Sequence, residues 1–153
     1  MREIIIEEMT SSHIDAVCEI ENDSFPIPWS KKSFYDELAN KNAYYFTAQV
    51  DGKTAGYCGL WHIVNEGHIT NIAVARDYRR NGIGRALVRK MLEFARKKEM
   101  IGLTLEVNIN NLSAQRLYLS FGFKPEGIRK NYYADTKEDA VIMWKYFENY
   151  EEI

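Results

Sequence analysis

Two cysteines, three prolines and no long apolar run characterise this 153-residue sequence, and each scarcity excludes something. Cys18 and Cys58 cannot make a disulfide framework, and no Cys/His cluster has zinc-ligand spacing, so no metal is expected. No apolar stretch approaches the roughly 20 residues that a membrane-spanning helix needs. The start, Met1-Arg-Glu-Ile-Ile-Ile-Glu-Glu8, carries acids where a signal peptide would be apolar, which makes the cytoplasm the expected location. A charge bias is missing too. The 20 basic and 22 acidic residues leave a net charge of −2, an argument against an electrostatic nucleic-acid binder. No low-complexity linker or internal repeat divides the chain, so residues 1–153 are expected to form one domain with a real core.

What the sequence has in quantity is aromatics: ten Tyr, seven Phe and three Trp. Most belong in or beside a core. Two clusters are less easily assigned there, Phe25-Pro-Ile-Pro-Trp29 and Tyr132-Tyr133.

Periodicity predicts a mixed order of elements. Ile4-Ile5-Ile6 reads as a first strand, and Thr10-Ser11-Ser12 offers a cap for a helix bearing Ile14, Val17, Cys18, Ile20 and Glu21. Pro26-Ile27-Pro28 breaks that helix, and Ser30 can cap a second over Ser33–Leu38. Tyr44–Val50 reads as a strand, and Asp51-Gly52 as a hairpin turn into Thr54–Val64. Asn65-Glu66-Gly67 turns the chain into a strand at His68–Val74. The long apolar face of Ile83, Leu87, Met91 and Ala95 then predicts a helix over 83–98. A strand at Leu103–Val107, a short helix at Ser113–Phe121, and closing strands near Phe123, at Arg129–Tyr133 and at Ala140–Tyr146 complete the order. Phe121-Gly122-Phe123 reads as structural, with Gly122 ending the helix and the phenylalanines in the core. The 68–74 and 103–107 strands, joined by one helical crossover, should be parallel neighbours. Ligands of such sheets sit beyond the carboxyl ends of the strands.

At that end lies Arg79-Arg80-Asn81-Gly82-Ile83-Gly84. A glycine-rich turn feeding a helix start aims several backbone N–H groups, and the positive end of the helix dipole, at one spot. That is a site for phosphate oxygens. The turn also has a purely conformational reading, with Arg79 and Arg80 as a solvated pair. It is not a P-loop, because no Gly-Lys-Ser/Thr follows, nor a G-x-G-x-x-G fingerprint, because Leu87 occupies the third glycine's place.

With these residues in order, the chain resembles the GNAT superfamily of acyl-CoA-dependent N-acetyltransferases, and within it the RimI type, the ribosomal-protein-alanine N-acetyltransferases. The turn matches that family's Arg/Gln-x-x-Gly-x-Gly/Ala motif. Ile72-Ala-Val74, Asp77–Leu87, Leu105-Glu-Val107, Asn111, Leu117-Tyr118, Phe121-Gly-Phe123 and Arg129–Tyr133 resemble further stretches, over essentially the whole chain. The resemblance implies an α/β (α+β) GNAT fold. Its sheet would be mixed and mostly antiparallel, with one central, splayed parallel pair and helices on both faces. It also implies acetyl-CoA as cosubstrate, a protein N-terminus as acceptor, and a monomer or weak dimer.

Carried over residue by residue, the backbone of Ile72, Ala73 and Val74 would face the thioester and pantetheine. An N–H near Ile72 could serve as a one-donor oxyanion hole. Arg79, Arg80, Asn81, Gly82, Ile83, Gly84 and Arg85 would hold the pyrophosphate. Asn111, or Asn110 beside it, would bond the pantetheine, and Asn111 can equally be an N-cap.

Glu106 is the candidate base, although alternation alone makes it a solvent-facing strand residue. Tyr118, two helical turns beyond Asn111, is the candidate acid for the leaving thiolate; it too has a bland alternative, as a core-edge aromatic. Phe25 and Trp29 on one side, and Tyr132 and Tyr133 on the other, would wall the acceptor groove. The bland reading of Trp29 is a core plug behind a proline-stiffened connector. Tyr132 and Tyr133 on an alternating strand would send at most one ring into the groove. Glu66, His68 and Asp139 could add polar contacts. The Ile-Pro insertion makes Phe-Pro-Ile-Pro-Trp longer than the Phe-Pro-Trp of the RimI type, which alters the acceptor wall and not the chemistry. The resulting expectation is direct transfer of acetyl to an N-terminal alanine of a small-subunit ribosomal protein. A small-molecule amine, broader peptide N-termini, or a non-catalytic acyl-CoA sensor are the alternatives.

Overall fold

A computed structural model describes residues 3–147. Its elements run β1 (Ile5–Glu8), α1 (Ile14–Ser24), α2 (Lys31–Ala39), β2 (Ala43–Val50), β3 (Lys53–Ile63), β4 (Glu66–Val74), α3 (Ile83–Lys97), β5 (Gly102–Asn108), α4 (Leu112–Ser120), β6 (Lys124–Arg129) and β7 (Ala140–Tyr146). The strands form one seven-stranded sheet in the order β1-β2-β3-β4-β5-β7-β6. β4 and β5 are the parallel pair, and every other neighbouring pair is antiparallel.

Local chemistry accounts for the boundaries. Ser30 Oγ accepts from Ser33 N at 3.1 Å and starts α2. Asp51 and Gly52 take φ of 51° and 76°, the two left-handed positions of a tight hairpin turn. α4 ends in a Schellman cap. Gly122 (φ 92°) donates to Leu119 O at 3.0 Å and Phe123 N donates to Tyr118 O at 3.1 Å.

Alternation along the strands divides the core. Phe46, Cys58, Leu60, Leu103, Leu105, Val107 and Met143 face the apolar stripe of α3, with Tyr118 of α4 and Phe123 beside it. Tyr45, Tyr57 and Ala73 face Ile14, Val17, Ile20 and Phe34 of α1 and α2. Both sheet faces therefore carry helices. α1 and α2 pack over β2, β3 and β4, while the same face of β5 and β7 carries Glu106, Ile142 and Trp144, all half-buried, and the exposed Tyr146. That half of the sheet face is accessible.

One predicted element is corrected. Arg129–Tyr133 is not a strand: β6 stops at Arg129, and Tyr132 and Tyr133 lie in the loop before β7. Side chains distant in sequence shape that loop. Asp139 Oδ1 accepts from Asn131 N at 2.9 Å. Glu138 Oε1 accepts from Asn108 Nδ2 at 3.1 Å, and its other oxygen takes Asn110 Nδ2. Hydrogen bonds from Asn110, Thr136 and Asn108 lower the Glu138 carboxyl from its ordinary value.

Candidate active site

The parallel pairing of β4 with β5 is brief. It joins Gly67 to Leu103 and His68 to Thr104, and nothing beyond. Directly after it, β4 bulges: Gly59 opposes Asn71 and Leu60 opposes Ile69, which leaves Thr70 without a partner on β3. The bulge turns β4 away from β5, so the backbone of Ile69–Val74 stays bonded to β3 while its other edge faces a gap. Ile72, Ala73 and Val74 line that edge.

Past the gap, the turn after β4 is braced by its own side chains. Arg79 Nε donates to Val74 O at 3.1 Å, and Asn81 Nδ2 donates to Tyr78 O and Arg79 O at 3.1 and 3.0 Å. Arg80 and Gly82 are left-handed, with φ of 64° and 81°, and Gly82 is the N-cap of α3 without a side-chain cap. The first-turn N–H groups of Ile83, Gly84 and Arg85 thus lack an internal acceptor. A Cβ at Gly82 would meet nothing within 4 Å, and one at Gly84 only Leu117 Cδ2 at 3.5 Å, so open space lies in front of these amides. The Arg85 side chain turns away from them, bonding Ser120 Oγ at 2.9 Å and covering the Phe121 ring at 4.6 Å. The donors left free at the turn are thus backbone N–H groups, while the Arg79 and Arg85 side chains have partners within the chain.

Glu106 stands on β5 two residues beyond the last parallel pair. Its side chain is one quarter exposed, with Arg129 Nε 4.0 Å from Oε2 and the Tyr132 hydroxyl 3.4 Å from Oε1. Tyr118 is buried on α4, and burial pushes its hydroxyl up, with Cys58 and Tyr133 adding to the shift. Burial, followed by Tyr132 and Glu106, pushes the Tyr133 hydroxyl up to about 12. Tyr133 therefore lies within electrostatic reach of both Glu106 and Tyr118.

Asn111 is the N-cap of α4, its Oδ1 accepting from Ala114 N at 3.1 Å, which leaves its amide NH₂ for other partners. The Asn110 amide is bonded to Glu138. Asp139 pins the loop at Asn131, while Glu66 and His68 meet each other at 3.2 Å at the start of β4. Phe25 is partly exposed. Trp29 packs on Phe34 and Tyr45 with centroids 5.5 and 6.5 Å apart, so it belongs to the core under α1 and α2 while still reaching the surface.

Three residues of this region escaped the sequence reading. Glu21 and Glu37 are buried carboxylates held by neutral donors. Glu21 takes the Tyr57 hydroxyl and Trp29 N at 2.8 Å, and Glu37 takes Trp61 Nε1 at 2.9 Å and the Tyr45 hydroxyl at 3.3 Å. The Tyr45 ring occupies the place that a Cβ on Gly59 would take, which is why glycine stands there. Asn71, one residue after the bulge, has a buried amide nitrogen with no acceptor among the described residues. Charge and amide residues inside helical and strand patterns read as solvated, and only the facing tyrosines could have signalled otherwise.

A gap between parallel strands, an anion-ready helix start and a carboxylate at the gap's mouth form one arrangement. The family model for the Acetyltransferase (GNAT) family matches residues 14–123. The chain belongs to this family. It is an acetyltransferase, and acetyl-CoA is its acetyl donor. It is 36% identical, over 90% of its length and 94% of the relative's, to the [ribosomal protein bS18]-alanine N-acetyltransferase of Escherichia coli (strain K12). It is 47% identical, over 91% of its length and 93% of the relative's, to a Bacillus subtilis (strain 168) protein provisionally given the same name. The crystal structure of the Escherichia coli ribosomal-protein-S18-alanine N-acetyltransferase superposes with a TM-score of 0.86, covering 96% of this chain and 98% of the other at 33% identity. The expected GNAT fold, with its splayed parallel pair and helices on both faces, is the observed one. Among the described residues no helix is long and apolar enough to cross a membrane, and no group of side chains is arranged to hold a metal ion.

Proposed function

We propose that this GNAT enzyme acetylates the α-amine of a polypeptide beginning with alanine, and that its target is the small-subunit ribosomal protein corresponding to bS18. The names carried by relatives 36% and 47% identical over nine-tenths of the chain support the target. The observation that carries the chemistry is the end of β4–β5 pairing two residues before Glu106, which leaves the carboxylate at the mouth of the gap. Such a target requires the cytoplasm, and nucleic acid need not be touched.

The residues divide the work as follows. The N–H groups of Arg80–Arg85, at the start of α3, take the pyrophosphate of acetyl-CoA. The free edge of Ile72–Val74 aligns the pantetheine, with the Asn111 amide as a further donor. A protein α-amine has a pKa of about 7.7–8.0, so near neutral pH a minority is already uncharged. Glu106 removes the proton that remains, directly or through one water. An N–H near Ile72 stabilises the oxygen on which negative charge grows. Tyr118 gives a proton to the departing sulfur. Its raised pKa keeps the hydroxyl protonated at neutral pH, and the same burial disfavours a bare thiolate, so donor and acceptor shift together. Phe25 and Trp29 wall one side of the acceptor, and Tyr132 and Tyr133 the other. Burial raises both thiols, Cys58 strongly and Cys18 less, which supports direct transfer without an acyl-cysteine.

Release of coenzyme A from acetyl-CoA, measured with an Ala-starting peptide against a panel of small amines, tests the reading. Turnover of the peptide is expected, and turnover of small amines alone overturns it. Mass spectrometry of intact ribosomal proteins with and without the enzyme then identifies the target.

A further inference from the structure

Beside the accessible half of the sheet, α2 and the end of β3 border an open hollow of about 340 Å³ lined by Trp29 and Trp61, with Glu37 and Asp36 in its wall. Its electrostatics are lopsided. Asp36 is paired with Lys32 at 2.8 Å, whereas the Glu37 carboxylate is bonded only to Trp61 Nε1 and the Tyr45 hydroxyl. Both of those donors are neutral, so a nearly buried negative charge faces the hollow without a cation among the described residues. A buried carboxylate of that kind is stabilised by any cation that reaches it. Two indoles in the same lining suit that occupant, since aromatic rings attract cations.

Position ties the hollow to the acetyl-transfer site. Trp61 pairs with His68, and His68 with Thr104, two residues before Glu106. A second connection runs through hydrogen bonds. Tyr45 joins Glu37 to Thr70, the bulge residue, at 2.9 Å from the Thr70 hydroxyl. Only two strand spacings and two residues separate Trp61 from Glu106, a span that the first few residues of an extended polypeptide can cover. A wider concavity of about 520 Å³ continues past Trp61 to Ile63 and the exposed Val64, giving the chain a way out over the β3–β4 turn.

We infer that the hollow of Trp29, Glu37 and Trp61 binds a basic side chain, arginine or lysine, within residues 2–4 of the acceptor polypeptide. It thereby sets which N-termini the enzyme prefers. This rests on the N-terminal acetylation proposed above and adds the charge of the acceptor to it.

The test is a set of Ala-starting peptides, otherwise uncharged, with a single Arg moved through positions 2, 3 and 4, compared with the Gln-containing equivalents. The wild-type enzyme is expected to prefer Arg by about tenfold in kcat/KM at one position, carried by KM, with the preference shrinking as salt is raised. In E37Q, whose amide keeps the size of the side chain, the Arg/Gln ratio is expected to fall to within about twofold of one. Equal kcat/KM for Arg and Gln peptides at all three positions in the wild type overturns the inference and leaves N-terminal acetylation standing. An undiminished preference in E37Q overturns the assignment to this hollow. Turnover of small amines with no turnover of any peptide overturns both readings together. If E37Q does not fold, the wild-type position scan and W61F, which keeps a ring and loses the Glu37 partner, decide between the same outcomes.

Discussion

The Tyr132 hydroxyl points at Glu106 Oε1 from 3.4 Å, joining the loop after β6 to the strand at the gap's edge. The distance is long for an O–H···O bond, so the phenol steers the carboxylate without holding it tightly. Arg129 Nε lies 4.0 Å from the other oxygen, so both carboxylate oxygens have a neighbour. Glu106→Gln should accordingly lower peptide kcat by about 10²–10⁴, the span of a lost general base, while acetyl-CoA binding stays within about twofold. Tyr132→Phe should cost far less, about two- to fivefold in kcat/KM, because it removes a steering contact only. Steady-state rates together with isothermal titration of acetyl-CoA check both. Full activity in Glu106→Gln would sink the assignment of the base.

Tyr118 carries a pH prediction whose sign follows from its burial. The folded pKa lies above the ordinary tyrosine value of 10.0, so the acid stays protonated through the neutral and mildly alkaline range. No alkaline fall in kcat below pH 10 should then trace to Tyr118. The same raised value makes folding pH-dependent: its contribution is fully present below the unfolded pKa of about 10 and is lost as pH climbs toward the folded one. Tyr118→Phe should lower kcat by about 10²-fold, within the range of one general acid, and should remove that part of the alkaline destabilisation. Urea unfolding of both proteins between pH 8 and 11 measures the second effect. Identical curves would mean that the phenol is not desolvated.

How much of this was legible in the sequence depended on whether the deciding contacts are local. Helix α3 was readable because its apolar residues repeat at the helical period, and the Asp51-Gly52 turn because few other pairs adopt two left-handed conformations. The splay was only half legible. The crossover predicts parallel neighbours, but the bulge at Thr70 that parts them has no local signature. The Tyr132-Tyr133 loop was misread as strand because aromatics favour strands. What overrides that preference is Glu138, reaching across to Asn108 and Asn110 some thirty residues earlier. The bonding of Glu21 and Glu37 is hidden for a related reason: helical spacing puts Glu21 in line with Ile14 and Val17 but does not reveal which tyrosine faces it.

Asn111 offers a way to separate structure from binding. Its Oδ1 caps α4 through Ala114 N at 3.1 Å, a task that serine performs about equally well. The amide NH₂ is what serine lacks. Asn111→Ser should therefore keep thermal stability within about 0.5 kcal/mol and raise KM for acetyl-CoA several-fold. Asn111→Ala should do both harms, losing about 1 kcal/mol as well. Calorimetry and acetyl-CoA saturation curves on the two variants decide. An unchanged KM in Asn111→Ser would reduce the residue to a cap.

The Glu21–Tyr57 contact lies beneath the proposed acceptor wall, and the second Glu21 oxygen takes Trp29 N at 2.8 Å and so fixes where the Phe25–Trp29 loop turns. Glu21→Ala strands two buried donors at once, whereas Tyr57→Phe removes one donor and leaves Glu21 bonded to Trp29. The first should cost about 2–4 kcal/mol and the second about 1–2 kcal/mol, by the usual penalties for unpaired buried polar groups. The double variant should cost less than the sum, because the pair shares a bond that only the first change needs to break. Glu21→Gln should fall between them, since one amide oxygen still accepts from the hydroxyl or the backbone. Chemical denaturation of all four proteins closes the cycle. If Trp29 depends on Glu21 for its position, peptide KM should rise in Glu21→Gln more than KM for acetyl-CoA. Additive stabilities and unmoved KM values would mean that the carboxylate neither couples to Tyr57 nor shapes the wall.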